Sequence, residues 1–490
     1  MRLISVTTAW LLRLARIGDR AVWQPFEQEL VGGLLRVYNL SVGVVRLDST
    51  SAKTYAGVSE GSLFQFGHSK DHRPDLAQVK LSLSSLDPLG LPVSTTVVAG
   101  NLADDPLYEP EVARVRETTG QRGLLYVGDQ KMAALETRAF LSGGGDYFLS
   151  PLGLKQLSEA ERASLIGAFF ARQHEPQIIL RPETHEPLGV GFEITVVRSS
   201  TLTGGSRTTW TERILVFSSF ERAQSAAKKL DQAIELAEGE LLKLNEHKQG
   251  KKTLDAEQLS RAGTQIVNRR GVEGIVKFRI ETEVSVREVR AWRDRPARTE
   301  SEERHEVKVE LDQQSLRTRR QELGWSFYAT NHHREQLPLG RAMLAYRGQY
   351  SIEQGFGRLK GRQLGLLPLF LNLDLHVTGL IHLLVIGLRL LCLVQFVVRR
   401  KLAEAKVESE RKIKGLYAGQ ASRATTRPTT ELMLNAFEGV NLVIGKNEKG
   451  QTVTQLIPLT VLQKQILDLL GFSQEIYLQL ATHFQNLALE

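Results

Sequence analysis

The sequence predicts an α/β fold: a mixed sheet flanked by helices, interrupted by a β-rich insertion and followed by an α-helical C-terminal region. Three observations predict it. Between residues 42 and 150, three strand-like runs are followed by helix, strand, helix and strand, the succession of a mixed sheet in an α/β domain. From about 166 to 318 the texture changes to alternating apolar and polar runs that fit half-buried strands. Beyond 340 the periodicity turns helical.

In chain order, residues 8–40 carry one or two amphipathic helical patterns, and 42–48 is a short β-type run ending in an acid. Residues 76–86 and 92–99 are strand candidates joined by the turn-forming Asp87-Pro-Leu-Gly. Residues 109–119 read as a helix, 123–129 as a second strand ending in an acid, 132–141 as a helix and 146–150 as a strand. These fill the first part of the core, 41–165. Within the insertion, 166–318, strands are expected at 191–197 and 209–218. A long charged helix follows at 221–247, with a basic cluster at 248–252. Two alternating runs, 274–292 and 305–311, flank a charged loop. Residues 325–330 resemble a strand and belong to the second part of the core, 319–400. The tail, 401–490, starts with a charged helix and ends in an amphipathic one.

A chain of 490 residues is long enough for about two to four domains. The formal charge of +8 leans toward a polyanionic partner, nucleic acid first, although it also serves solubility. The single cysteine, Cys392, excludes an internal disulfide and a cysteine-rich zinc site, which fits a reducing cytosol. The apolar N-terminal stretch is broken by Arg13 and lacks a small-residue cleavage site, so no secretory signal is expected. Residues 377–398 are apolar enough to raise a transmembrane reading. His382, Arg389 and Gln395 lie inside that stretch, and intramembrane charge is costly, so a buried helix and no membrane partner are expected.

Tyr346, Glu353 and Lys360 are spaced by seven residues. On one helix that spacing lines a phenol, a carboxylate and an amine in one stripe, able to hold a metal ion and a phosphate together. Leu344, Ile352, Phe356 and Leu359 would face a core. Gly355, Gly357 and Gly361 each cost about 1 kcal/mol against Ala in a helix interior, which suggests that a backbone or ligand packs close. Asp48 and Asp129 each follow an apolar run, and the strands of one sheet can deliver such carboxylates to the same edge. With Glu353 they would form a hard-oxygen cage for two Mg²⁺ ions about 4 Å apart. Taken singly, an Asp after a strand is more often a cap or turn former, and the conjunction carries the reading.

Residues 67–75 concentrate His68, Lys70, His72 and Arg73 in an expected hairpin between the first two strands. Clustered cations there suit a DNA backbone or a plain structural hairpin. Metal ligation is the weaker alternative, since no helical histidine pair supports it. Trp210, Trp292 and Trp325 are core residues or stacking platforms for a base.

Leu47-Asp-Ser-Thr50, Gly67-His-Ser-Lys-Asp-His-Arg-Pro-Asp75, Tyr126-Val-Gly-Asp129 and the segment 346–360 together resemble the DDE transposases of bacterial insertion sequences. In particular they resemble the insertion-sequence-four superfamily, in its group with a β-rich insertion before the catalytic Glu. The resemblance runs from about residue 40 to the C-terminus. It implies an RNase H-like catalytic domain and two Mg²⁺ or Mn²⁺ ions. It further implies cut-and-paste DNA transposition and a homodimer assembled on DNA, with terminal inverted repeats and target DNA as partners. A bacterial cytoplasm, at the nucleoid, is the matching location. By the same resemblance Asp48 would bridge both metals, while Asp129 and Glu353 would each hold one. Tyr346, Arg347 and Lys360 would contact phosphates near the scissile bond, with His68, Lys70 and Arg73 on the DNA backbone.

Two departures stand out. The family signature has Arg where this chain has Gln349, and Gln cannot make the bidentate charged phosphate contact of Arg. The family also carries a substantial N-terminal region, whereas fewer than fifty residues precede Asp48, so 1–40 read as a short helical remnant of it. The expected function is metal-dependent DNA strand cleavage and strand transfer at insertion-sequence ends. The alternatives are an N-terminally truncated, catalytically idle DNA-binding or inhibitory derivative and, more weakly, a non-mobile RNase H-like nuclease.

Overall fold

The computed structural model describes residues 2–68, 73–202, 205–246, 254–289, 298–446, 452–477 and 479. The chain opens with helices α1 (Arg2–Gly18) and α2 (Arg20–Tyr38). Strands β1 (Val44–Thr54), β2 (Ala77–Leu86) and β3 (Leu91–Ala99) follow, then α3 (Tyr108–Thr119), β4 (Leu125–Val127), α4 (Leu135–Gly143) and β5 (Tyr147–Pro151). Next come α5 (Glu159–Phe170), β6 (Gln177–Leu180), β7 (Pro187–Thr201), β8 (Arg207–Ser219), α6 (Phe220–Leu242) and α7 (Ala256–Arg270). The long strands β9 (Val276–Val289) and β10 (Arg298–Leu311), α8 (Gln313–Gln321) and β11 (Trp325–Thr330) complete the middle of the chain. The last part holds α9 (Leu339–Arg347), α10 (Tyr350–Lys360), α11 (Asp374–Glu404), β12 (Ile413–Lys414), β13 (Ala424–Thr425), α12 (Thr430–Asn435), β14 (Leu442–Lys446), β15 (Thr452–Leu456) and α13 (Val461–Leu470).

The chain forms two compact units, one of Met1–Ser150, Ser199–Trp210 and Leu344–Glu490, the other of Pro151–Arg198 and Thr211–Met343. The second unit is wider than the 166–318 insertion read from the sequence, and β11 pairs with β8 inside it.

The first unit is mixed α/β, with its strands in the order β3-β2-β1-β4-β5. The β3–β2 and β2–β1 pairs are antiparallel, and β1–β4 and β4–β5 are parallel. β2 is buried along its whole length, with Val79, Leu81 and Leu83 alternating with Lys80, Ser82 and Ser84. That alternation puts a polar row on one covered face, where hydrogen bonds form within the unit: the Ser84 and Ser94 hydroxyls lie 2.6 Å apart, and Thr96 Oγ1 of β3 donates to Glu111 of α3 at 2.8 Å. The helix α11 packs against α1, β3, α10, α12 and α13. By length and composition alone it is apolar enough to cross a membrane. Here its buried face runs from Val377 to Leu402 and includes two of the three polar residues singled out within it, His382 and Arg389, while Gln395 is half-buried. His382 stacks on Trp23 at 4.0 Å between ring centroids, and Arg389 reaches Glu27 and the Pro92 carbonyl.

In the second unit the strand order is β11-β8-β7-β6, and β9 and β10 form a separate long hairpin. One face of α6 (Leu230, Ile234, Ala237, Leu241) shares a core with Ile266 and Val267 of α7 and Val307 of β10. The charged helix expected to 247 closes at Leu242. The basic cluster at 248–252 lies outside the described residues, as does Trp292. Trp325 donates through Nε1 to the Gln321 carbonyl at 2.8 Å and packs edge-on against Phe169, and Trp210 is buried. Both therefore sit as packed aromatics.

Candidate active site

β1 and β4 run parallel, with Val44, Val45 and Arg46 opposite Leu125, Tyr126 and Val127. Asp48 and Asp129 each lie two residues beyond the last pair of that register, Arg46 and Val127, and the charges of both act on Tyr108. The expectation that both acids end strands needs correction. Asp48 lies inside β1, which runs on to Thr54 and pairs Asp48 with Leu83 of β2. Only β4 ends, at Val127, so its chain turns away at the level of Asp48.

Asp129 begins that turn. It is the N-cap of a short 3₁₀ turn, Gln130–Ala133, and its Oδ1 accepts from the Lys131 backbone N–H at 2.9 Å. The same oxygen accepts from the Tyr108 hydroxyl at 2.6 Å. Tyr108 opens α3 and is buried; burial first, then the charges of Asp129, Asp48 and Asp104, push its pKa well up, so it stays an O–H donor. Asp48 Oδ1 accepts from the Ser49 N–H at 2.7 Å.

A third acid, unmarked by the sequence reading, joins this neighbourhood. Asp104 is buried, 2.7 Å from Lys80 Nζ and also paired with Lys131, and it accepts from Ser49 Oγ at 3.0 Å. Burial works against the Lys131 charge, but the hydrogen bond and charge of Asp104 outweigh it and raise the Lys131 pKa. The only signal in the sequence was Asp104-Asp105-Pro106 ahead of a helix, which reads as a plain turn.

The stripe from Tyr346 to Lys360 does not lie on one helix. A two-residue turn at Gly348 and Gln349 separates α9 from α10, so Tyr346 and Arg347 end one helix while Glu353 and Lys360 lie on the next. The cause is Arg46, buried on β1 two residues before Asp48. Its Nε pairs with Asp87 at 2.7 Å, its Nη2 donates to the Ala345 carbonyl at 2.8 Å, and its Nη1 lies 3.4 Å from Gln349 Oε1. A Cβ on Gly348 would fall 2.2 Å from Arg46 Nη2, so the guanidinium occupies the space a side chain there would need. The close packing expected around the α10 glycines is absent at Gly357, which faces open space, and ordinary at Gly355, 3.6 Å from Leu388. The expected apolar face is present: Ile352, Phe356 and Leu359 are buried.

α10 packs against β1, and Glu353 is exposed in its first turn. Asp48 and Asp129 both act on Tyr108, while among the described residues no group of three or more His, Cys, Asp or Glu is gathered closely enough to hold a metal ion. Tyr346 and Lys360 are half-buried and Arg347 is exposed. His68 is exposed, with its carbonyl accepting from Gln78 Nε2 at 3.1 Å, and Arg73 is held by Asp75 in two hydrogen bonds of 2.8 and 2.7 Å. Lys70 and His72 lie outside the described residues.

No protein-family model matches the chain, and no curated protein matches it. Among solved structures it is similar to the piggyBac transposase in a synaptic complex with hairpin DNA, at 7% identity and a TM-score of 0.21. That similarity covers 34% of this chain and 32% of the other, so the match spans about a third of either protein and is too slight to argue from.

Proposed function

We propose that the chain is a DDE transposase that cuts DNA strands at insertion-sequence ends and joins them to target DNA. The observation that carries this reading is the parallel pairing of β1 with β4, whose last pair, Arg46 and Val127, stands two residues ahead of Asp48 and of Asp129. The strand order, three antiparallel strands continued by two parallel ones, supports an RNase H-like core. The helix bearing Glu353 packs on the same strand, β1, which supports Glu353 as the third acid.

The residues fit a hard divalent cation: Asp48 and Asp129 are half-buried carboxylates, with no soft ligand among them. Asp48 and Asp129 would hold it, with Glu353 adding a carboxylate from α10. Bound there, two Mg²⁺ or Mn²⁺ ions would supply an activated water or 3′-hydroxyl and stabilise the leaving oxygen. The protein's own groups prepare the place. Tyr108 and the Lys131 N–H hold Asp129 through a single oxygen, Oδ1, which fixes the direction of the other. Lys80 and Lys131 neutralise Asp104 in the same neighbourhood. Tyr346, Arg347 and Lys360, with His68, Lys70 and Arg73, would meet DNA phosphates. A homodimer on DNA and a bacterial cytoplasmic location complete the proposal.

The idle, DNA-binding derivative is the second reading, favoured by the exposed Glu353 and the lack of a gathered three-acid group among the described residues. One assay separates them: duplexes carrying any inverted repeats found on either side of the gene, Mn²⁺, and Asp48→Asn, Asp129→Asn and Glu353→Gln variants. The transposase should nick the repeat ends, with each variant down by about a hundredfold or more. Binding of the repeats with no nicking by the unaltered protein supports the idle reading instead.

A further inference from the structure

A different face of α10 from the one bearing Glu353 borders a polar cleft in the first unit, between the β2–β3 turn, α10, α11 and the segment ahead of α12. Ser351, Arg358, Gln395, Arg399 and Arg427 line it. Three guanidiniums meet here, and a single carboxylate answers them: Glu431 pairs with Arg358 at 2.6 and 3.1 Å. Gln395 Oε1 accepts from Arg358 at 2.9 Å and fixes that guanidinium further. Arg399 spends its hydrogen bonds on neutral acceptors, the Pro428 carbonyl at 2.9 Å and the Arg427 carbonyl at 3.4 Å. The Arg427 guanidinium is exposed and has no partner among the described residues. Ser351 Oγ is buried without a hydrogen-bond partner.

Among the described lining residues three guanidiniums against one carboxylate leave two positive charges over, and the buried Ser351 hydroxyl is unpartnered. Such crowding is unfavourable in a part-buried cleft: burial first, then the charges of Arg427 and Arg358, press the Arg399 pKa down. The missing complement is a compact anion with several acceptor oxygens and no donors. The cleft is small, about 40 Å³, so it admits the oxygens of a compact group and not a base or a sugar. Pre-oriented guanidiniums suit phosphate, which they meet with charge and directed N–H bonds together.

We propose that this cleft binds a phosphate group, carried by the DNA backbone. The phosphate is read from the cleft alone; DNA as its bearer rests on the proposed function. The test is binding without cleavage, in EDTA, so that it does not depend on metal or on nicking. Inorganic phosphate is followed by ³¹P line broadening and a mixed-sequence duplex by fluorescence anisotropy across a salt series. Arg427→Gln and Ser351→Ala are the variants, since neither side chain is tied into the fold by a hydrogen bond. Arg423→Gln, whose guanidinium stacks on Tyr417 outside the cleft, is the control. Both variants should weaken phosphate binding by about three- to tenfold. Arg427→Gln should also lower the slope of log K against log salt for the duplex by about one, with the control unchanged. If phosphate binding weakens and the duplex does not respond, the cleft takes free phosphate and DNA is the wrong bearer. If neither ligand responds in either variant, or the unaltered protein binds neither, the proposal is overturned. Loss of nicking with binding intact would count against the transposase reading and leave the cleft standing.

Discussion

Arg46 decides what the neighbouring residue at 349 can be. Its buried guanidinium is neutralised by Asp87 and directed by the Ala345 carbonyl, and it lies against Gln349 Oε1 at 3.4 Å. A second arginine at 349 would bring like charge into a place where the first has spent its counter-ion. Gln offers an acceptor to Arg46 and sets its own Nε2 3.5 Å from the Leu47 carbonyl. Gln349→Arg, which restores the residue of the resembling family, is therefore expected to cost about 1–3 kcal/mol in urea denaturation and to gain no nicking activity. An unchanged midpoint with faster nicking would show that the position wants a cation after all. Read along the chain, Gln349 is a lost cation. Its guanidinium partner lies 303 residues away, so local spacing could not display it.

At the scale of elements, glycines mark where helices touch, but only some of them. α1 and α11 cross at Gly18 and Gly379: a Cβ on Gly379 would fall 1.9 Å from the Leu14 carbonyl, and one on Gly18 2.0 Å from the Leu375 carbonyl. Both obstacles are backbone and cannot swing aside. Gly379→Ala is expected to destabilise by about 1–3 kcal/mol or more, by forcing the helices apart. Gly357→Ala, in an exposed helix position with nothing near, is expected to stabilise by about 0.5–1 kcal/mol. Thermal midpoints that move in opposite directions check the pair; a shift of the same sign in both would sink the distinction. The sequence made the α10 glycines conspicuous because three fall close together, whereas Gly18 and Gly379 are isolated. Strand and helix order in the first unit was legible, since each element carries its own period or turn signal. The break between α9 and α10 was not, because its cause, Arg46, sits on β1.

At the scale of the whole molecule, stability should depend on pH through His382. Burial first, with help from Arg114 and Arg389, lowers its pKa to about 4, while its Nδ1–H bond to the Ile17 carbonyl at 2.9 Å works the other way. Nδ1 must be the donor there, because a carbonyl only accepts. Between about pH 6.5 and 4 the unfolded chain binds a proton that the folded one refuses. Stability therefore rises with pH across that window and is lost as pH falls through it, by up to about 3 kcal/mol. Urea denaturation at pH 7 and pH 4.5 should show a larger loss for the unaltered protein than for His382→Gln. Equal losses would remove His382 as the cause. His382, Arg389 and Gln395 were legible in the sequence as groups too polar for an apolar helix. What they required was visible only in three dimensions: Trp23 and the Ile17 carbonyl for the first, Glu27 for the second and Arg358 for the third.

The sequence by itself determined the succession of strands and helices in the first unit, which follows from local physics, periodicity and turn residues; Asp48, Asp129 and Glu353 it offered as an expectation resting on their conjunction and on a resemblance. Only the tertiary structure decided that β1 and β4 are parallel neighbours, with Arg46 opposite Val127. It alone brought Asp104, Lys80 and Tyr108 into the company of Asp48 and Asp129, split the Tyr346–Lys360 stripe, and gathered Arg358, Arg399 and Arg427 about one cleft. The reason is the same in each case: strand pairing and charge neutralisation act between residues distant in the chain, and no local pattern carries their partners' positions.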